Sequence, residues 1–225
     1  MNNNTYTAII PVRAGSRRLK NKNISPFNGT NLLINKICQL KDVPLISRIV
    51  VSSDSDEMLE MAKNENIEIH KRSWEYCDEK TKTFGEVVAH IADSVSGDNI
   101  VWATCTSPLV SPDSYQKAIN LYEDNVLKLK INDSLITVEP FKRYMWDDNG
   151  PLNYRLGINH VPSQQLPVFY FVTDGILIAE RKNMIKWNYF HGTNPYKMEL
   201  EKIECVDIDD LLDLEKAKAW LNIGL

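Results

Sequence analysis

The chain is poor in cysteine, with four in 225 residues, and no two of them form a CxxC pair. Cys38, Cys77, Cys105 and Cys205 are too scattered to read as a disulfide framework, so free thiols in a reducing setting are expected. The four histidines do not cluster with them, which removes zinc-ligand spacing. No run approaches the ~20 apolar residues needed to cross a bilayer. The first residues, Met-Asn-Asn-Asn-Thr, lack a charged stretch leading into an apolar one, so no secretory signal is read and a cytoplasmic location is expected. A basic excess is missing too: 26 Lys and Arg stand against 30 Asp and Glu, a net charge of −4, which argues against a general nucleic-acid binder. The Walker A pattern GxxxxGK[ST] is absent, and no internal repeat or low-complexity segment is visible.

What is present is ordinary for a globular enzyme: 43% hydrophobic and 25% charged residues. The length suits one domain, taken as residues 1–225. The first half alternates strand-like and helix-like segments. Thr5–Val12 and Arg48–Ser53 are apolar, β-branched runs, and Glu68–Lys71 and Asn99–Ala103 are shorter strands. Helices are expected at Leu32–Leu40, after Asp54 as N-cap with Glu57 in a capping-box spacing, and over Thr83–Val95. Another is expected from Ser111-Pro112 to about Glu123. This rhythm predicts an α/β fold, a largely parallel sheet covered by helices on both faces. Beyond Pro140, residues 141–167 show no clean period and read as an inserted arm. Val168–Ala179 then returns to strand around an Asp174-Gly175 turn, Met198–Ile203 is a further strand, and Asp210 caps a closing helix through about Asn222.

In parallel sheets, ligands bind outside the carboxyl ends of the strands, so the loops there carry the candidate chemistry. The first is Pro11–Asn23, with Arg13, Arg17, Arg18, Lys20 and Lys22 around a Gly15-Ser16 bend. Cations and close backbone amides suit a polyphosphate; a solvated basic loop is the competing reading. The second is Asp207-Ile208-Asp209, whose alternating side chains can share a face and suit Mg²⁺; helix capping is the alternative. Thr104, Thr106 and Ser107 offer hydroxyls to a ligand or simply build a turn. Ser52 at a strand end and Arg72 after the third strand are further candidates. Cys105 has no histidine placed beside it and reads as a small buried residue, not a nucleophile.

In order along the chain, these segments resemble the acylneuraminate cytidylyltransferase family, the CMP-sialic acid synthetases. The resemblance is carried by Ile10–Arg17 with Lys22-Asn23, Val51–Ser55, Thr106–Leu109, Gln164–Pro167, Asp174-Gly175 and Asp207-Ile208-Asp209 through Asp213. It implies a Rossmann-like three-layer α/β/α nucleotidyltransferase fold in which the inserted arm dimerises. It implies CTP as donor, Mg²⁺ as cofactor, and a sialic acid or related 3-deoxy-ulosonic acid as acceptor. Carried over by position, Arg13, Ala14, Gly15, Ser16, Arg17, Lys22, Asn23, Ser52, Arg72 and Thr104 would surround the nucleotide. Thr104, Thr106, Ser107, Gln164, Gln165 and Asp174 would meet the acceptor, and Asp207 and Asp209 the metal. Arg13, Lys22 and Asp209 would act in catalysis. The chain departs from the family mostly on the acceptor side: Thr104 replaces a glutamine, Cys105 a proline, Ser163 an arginine and Asp174 an asparagine. Arg17 replaces a lysine in the donor loop. Kdo or a phosphonate is therefore an alternative acceptor. A nucleotide-binding homologue without turnover is the alternative of another class.

Overall fold

The computed structural model describes residues 4–78 and 80–223. In chain order it comprises β1 (Tyr6–Pro11), the short pair β2 (Pro26–Phe27) and β3 (Thr30–Asn31), α1 (Leu32–Lys41), β4 (Ile46–Ser53), α2 (Asp56–Asn64) and β5 (Glu68–Lys71). Then follow α3 (Phe84–Asp93), β6 (Asn99–Trp102), α4 (Pro112–Tyr122) with a π-helical extension (Glu123–Lys128), and β7 (Ser134–Phe141). The chain continues through β8 (Trp146–Asp147), β9 (Gly150–Pro151), β10 (Phe169–Glu180), α5 (Arg181–Trp187), β11 (Pro195–Glu199) and α6 (Leu211–Ile223). Among the described residues, seven strands form one sheet in the order β11-β7-β10-β6-β1-β4-β5. Every pairing in it is parallel except those of β10, which runs antiparallel to both neighbours.

Side chains alternate across this sheet, so each strand feeds two cores. Ala8, Ile10, Val51, Val101 and Ile178 enter one core, packed with residues of α1, α2, α4 and α6. Ile9, Val50, Ile100, Trp102 and Leu177 enter the other, with Val88, Ile91 and Met184 of α3 and α5. The expected three layers are present. Local capping explains where the helices start. Thr83 and Glu86 form a reciprocal capping box on α3, Ser111 caps α4 ahead of Pro112, and the Asp210 carboxylate accepts from the amides of Leu212 and Asp213 on α6.

Several boundaries differ from expectation. Ser55, not Asp54, caps α2: its backbone is extended and its hydroxyl accepts from the Met58 amide at 3.3 Å. Asp54 is used elsewhere, accepting from the Ala14 amide at 2.9 Å and so tying two strand-end loops together. The last strand begins at Pro195 and ends at Glu199, and the chain beyond it returns to the middle of the sheet, where the Ile208 amide donates to the Thr106 carbonyl at 2.8 Å. The expected turn at Asp174-Gly175 is a bulge within the continuous strand β10. Val172 pairs with Val138 and Leu177 with Ile136, so residues 173–176 face Thr137 alone. Residues 141–167 hold the β8–β9 hairpin and two 3₁₀ turns, with Tyr144, Tyr154 and His160 in mutual ring contact.

Candidate active site

A cleft of about 660 Å³ opens at the carboxyl ends of β1, β5 and β6. One end is cationic. Arg13, Ser16, Arg17, Arg18 and Lys22 line it from the loop after β1. The bend depends on Gly15, whose φ of +74° lies in the left-handed region, while a side chain there would meet nothing within 4 Å; glycine is needed for conformation and not for space. The loop is held from behind. The Asn23 amide donates to the Arg13 carbonyl at 3.0 Å, and its oxygen accepts from the Cys105 thiol at 3.3 Å. Arg13 itself donates to the Cys77 carbonyl at 2.8 Å. Arg72 is almost wholly buried and donates to the Val12 carbonyl at 2.6 Å, bracing the same turn while facing the cleft.

The carboxylates come from the opposite end of the chain. Asp209 lines the cleft, with its Oδ1 at 2.7 Å from Arg18 and 3.3 Å from Lys22. Lys22 also donates to the Ile208 carbonyl at 2.8 Å, so the first loop and the last are clasped directly. Asp207 opens onto an adjoining hollow bordered by Thr173 and Asp213, and Asp174 stands on the rim of both cavities. Asp207 Oδ1 is buried without a hydrogen-bond partner. Burial, and then the neighbouring Asp209 charge, push the Asp207 acid above its usual range, although a Thr106 hydrogen bond pulls the other way. Desolvation, and then the charges of Asp207 and Asp209, raise Asp174 as well. Among the described residues no three His, Cys, Asp or Glu side chains converge as a ready-made metal cage.

A cleft in which a cationic loop meets an aspartate suits a metal-bound polyphosphate. A family model described as cytidylyltransferase covers residues 7–151, from β1 through the sheet's centre to the hairpin. The chain belongs to the cytidylyltransferase family. This cytidylyltransferase is 25% identical over 218 residues to the post-translational flagellin modification protein B of Campylobacter coli, covering 92% of this chain and 90% of that protein. It is 24% identical to the CMP-N,N'-diacetyllegionaminic acid synthase of Legionella pneumophila, covering 92% and 91%. It is also 23% identical to the N-acylneuraminate cytidylyltransferase of Escherichia coli, there spanning 93% of this chain but only 50% of that protein. Among solved structures, CMP:2-keto-3-deoxy-manno-octonic acid synthetase complexed with CTP superposes with a TM-score of 0.72 at 12% identity, over 98% of this chain and all of that one. A Mycobacterium tuberculosis protein solved with manganese gives 0.60 at 11% identity, over 96% and 98%. At these identities the structural likenesses establish the shared fold.

In this cytidylyltransferase the expected site residues divide into four groups, one of them Asp207 alone, which opens onto the adjoining hollow and does not line the cleft. Arg13, Ser16, Arg17, Lys22, Asn23, Arg72, Thr104, Thr106, Asp174 and Asp209 all border the one cleft, and Ala14 and Gly15 shape its loop. Ser52 and Ser107 lie behind the wall. Ser52 is fully buried with its hydroxyl 3.0 Å from His70 Nδ1, and Ser107 is buried with its hydroxyl 3.2 Å from that of Thr104. Gln164 and Gln165 sit exposed on the inserted segment and are not among the residues that line the cleft. The cleft's apolar end, where Tyr76, Phe84, Val87, Trp102 and Phe190 meet from four separate segments, has no motif in the sequence. No spacing joins those residues, so only the fold could reveal them. Cys105 is buried, which pushes its thiol up to about 12 and fits the inert reading.

Proposed function

We propose that the protein transfers CMP from CTP to a small acidic sugar, a sialic acid or related 3-deoxy-ulosonic acid, and releases pyrophosphate. The observation that carries this reading is the clasp between the Arg13–Lys22 loop and Asp209 inside one cleft of a cytidylyltransferase-family chain. The names of the legionaminic and acylneuraminic relatives, and of the Kdo enzyme with its bound CTP, support the donor and the acceptor class. An acceptor hydroxyl oxygen attacks the α-phosphorus in line and gives up its proton to water, a new P–O bond forms, and the bond from the α-phosphorus to the bridging oxygen breaks with its electron pair leaving on pyrophosphate. The protein's part is to position and neutralise. Arg13, Arg18 and Lys22 take charge from the phosphate oxygens, and the Gly15–Ser16 bend presents backbone amides. The apolar end at Phe84, Trp102 and Phe190 receives the uncharged part of the acceptor, with Thr104, Thr106 and Asp174 bonding its hydroxyls.

The donor set fits a hard divalent cation. Asp207 Oδ1 is a buried carboxylate oxygen without a partner, and Asp209 lies two residues on. Mg²⁺ usually takes only one or two protein carboxylates and completes its shell with waters and substrate phosphates, which suits a site without a preformed cage. Asp207 and Asp209 would hold it, and when bound it supplies a positive charge that neutralises phosphate oxygens. We also propose a homodimer. Phe169, Tyr170, Phe171 and Val172 of β10 and Ile158 of the inserted arm are solvent-exposed, an apolar surface suited to a second copy.

Pyrophosphate release over CTP, UTP, ATP and GTP, each paired with N-acetylneuraminate, N,N'-diacetyllegionaminate, pseudaminate, Kdo and a simple phosphonate, tests the reading. Turnover is expected only with CTP and a 3-deoxy-ulosonic acid, and it stops with EDTA and returns with Mg²⁺. Turnover of Kdo alone would place the acceptor at the eight-carbon member of that class, and turnover of the phosphonate alone would overturn the acceptor class. CTP binding by calorimetry without turnover of any acid would make the protein a non-catalytic homologue.

A further inference from the structure

One fully buried cation takes no part in this chemistry. Lys36, on α1, is wholly inaccessible to solvent. Its ammonium donates to the Ser107 carbonyl at 2.9 Å and to the Tyr115 hydroxyl at 3.1 Å. Both partners lead to the cleft. Tyr115 passes a hydrogen bond to the Gly175 carbonyl at 3.2 Å, at the bulge that carries Asp174. The Ser107 hydroxyl is 3.2 Å from that of Thr104, which in turn donates to the Asp174 carbonyl at 2.7 Å. Two routes from a single ammonium therefore reach the bulge that carries Asp174, one of them by way of Thr104. Neighbouring turns of α1 reinforce the contact, since Asn35 and Gln39 both donate to the Pro108 carbonyl, at 3.1 and 2.7 Å.

A buried ammonium is an expensive way to hold two loops. Burying an ion costs several kcal/mol, and well-packed apolar side chains of similar volume often serve stability as well or better. Desolvation lowers the Lys36 pKa to about 7, opposed by the nearby Cys105 and Glu204. Glu204 does not compensate by pairing. It is spent on the start of α4, accepting from the Ser111 amide and hydroxyl and from the Ser114 hydroxyl.

We infer that Lys36 is a positioning residue for the acceptor side of the cleft, its ammonium locking the 104–108 turn and the 173–176 bulge into one frame that sets Thr104 and Asp174. The inference rests on the reading of those two residues as acceptor contacts. The nucleotide loop is held mainly by its own bonds, through Asn23, Arg72 and Asp54, and meets the 104–108 turn where the Cys105 thiol donates to Asn23.

The test compares wild type with Lys36→Met and Tyr115→Phe. Hydrogen exchange by mass spectrometry needs no acceptor: in Lys36→Met, exchange at both 104–108 and 173–176 accelerates by about tenfold while 13–23 is unchanged, as a lost buried hydrogen bond predicts. Tyr115→Phe keeps the bond to Ser107, so only 173–176 quickens. In steady-state kinetics with whichever panel acid the wild type uses fastest, both variants raise the acceptor KM or lower kcat by about tenfold and leave the CTP KM within twofold. Unchanged exchange in both segments, or a parallel loss of CTP binding measured by calorimetry, would overturn the inference. If Lys36→Met does not fold, Tyr115→Phe decides alone. If the wild type turns over no acid, the functional proposal fails by itself, and the exchange data still settle whether Lys36 frames the two segments.

Discussion

Thr137 offers a sharp test of how the bulge in β10 is maintained. Its hydroxyl accepts from the Ile176 amide at 3.0 Å and from the Thr173 hydroxyl at 2.8 Å, and donates to the Ile176 carbonyl at 3.1 Å. Thr137→Val keeps the shape and removes all three bonds. Thr173 is half-buried and can turn to water, so its loss costs little. Ile176 is fully buried, and its amide is left without a partner at about 1–3 kcal/mol, with about 1 kcal/mol more for the carbonyl. The total is about 2–4 kcal/mol, which for a chain of this length lowers Tm by about 4–16 °C. Thr137→Ser retains the hydroxyl and loses one methyl, about 1 kcal/mol. Calorimetry and urea unfolding of the three proteins measure both effects. A Val variant as stable as the Ser variant would show that the hydroxyl does not support the bulge.

Asp209→Asn should lower kcat/KM by about 10²–10³-fold, as expected for a group that stabilises developing charge. Its pairs with Arg18 and Lys22 are part-exposed, so unfolding free energy should move by no more than about 1 kcal/mol; a large destabilisation with retained turnover would reverse the assignment. For Lys36, the folded pKa lies below the ordinary lysine value, so the protonated form is penalised in the fold. Below about pH 7 both folded and unfolded chains carry the proton and the penalty is complete. Between there and the ordinary value of 10.5 only the unfolded chain holds it, so stability rises with pH by up to about 1.4 kcal/mol per unit. Wild type should therefore gain on Lys36→Met in urea unfolding between pH 7 and pH 9, and a constant difference would contradict a perturbed lysine. Thr83→Ala removes one half of the α3 capping box and should cost about 1 kcal/mol in the same assay.

The parallel-sheet architecture was readable because its signals are local. Strand β1 alternates Ala8 and Ile10 toward one core with Ile9 toward the other, and the caps at Thr83, Ser111 and Asp210 sit beside the helices they start. The cap of α2 is ambiguous in the sequence because two adjacent residues, Asp54 and Ser55, can each supply it. Which of them does depends on backbone geometry and on the distant Ala14 amide that Asp54 serves instead. Ser52 carried no local sign that its hydroxyl turns to His70 behind the wall. Gln164 and Gln165 were drawn to the site by motif alone, and the single chain leaves them exposed on the arm.

By itself, the sequence determined the layered α/β frame, the cationic bend at Gly15 and the aspartate pair near the end, since each is written in neighbouring residues. Tertiary structure decided what meets: Arg18 with Asp209, Lys36 with the two turns across α1, and the apolar wall of Tyr76, Phe84, Trp102 and Phe190. The physical reason is that a parallel sheet gathers the carboxyl ends of strands far apart in the chain. Contacts made there follow from strand order and from the β10 bulge, and neither leaves a periodic trace in the sequence.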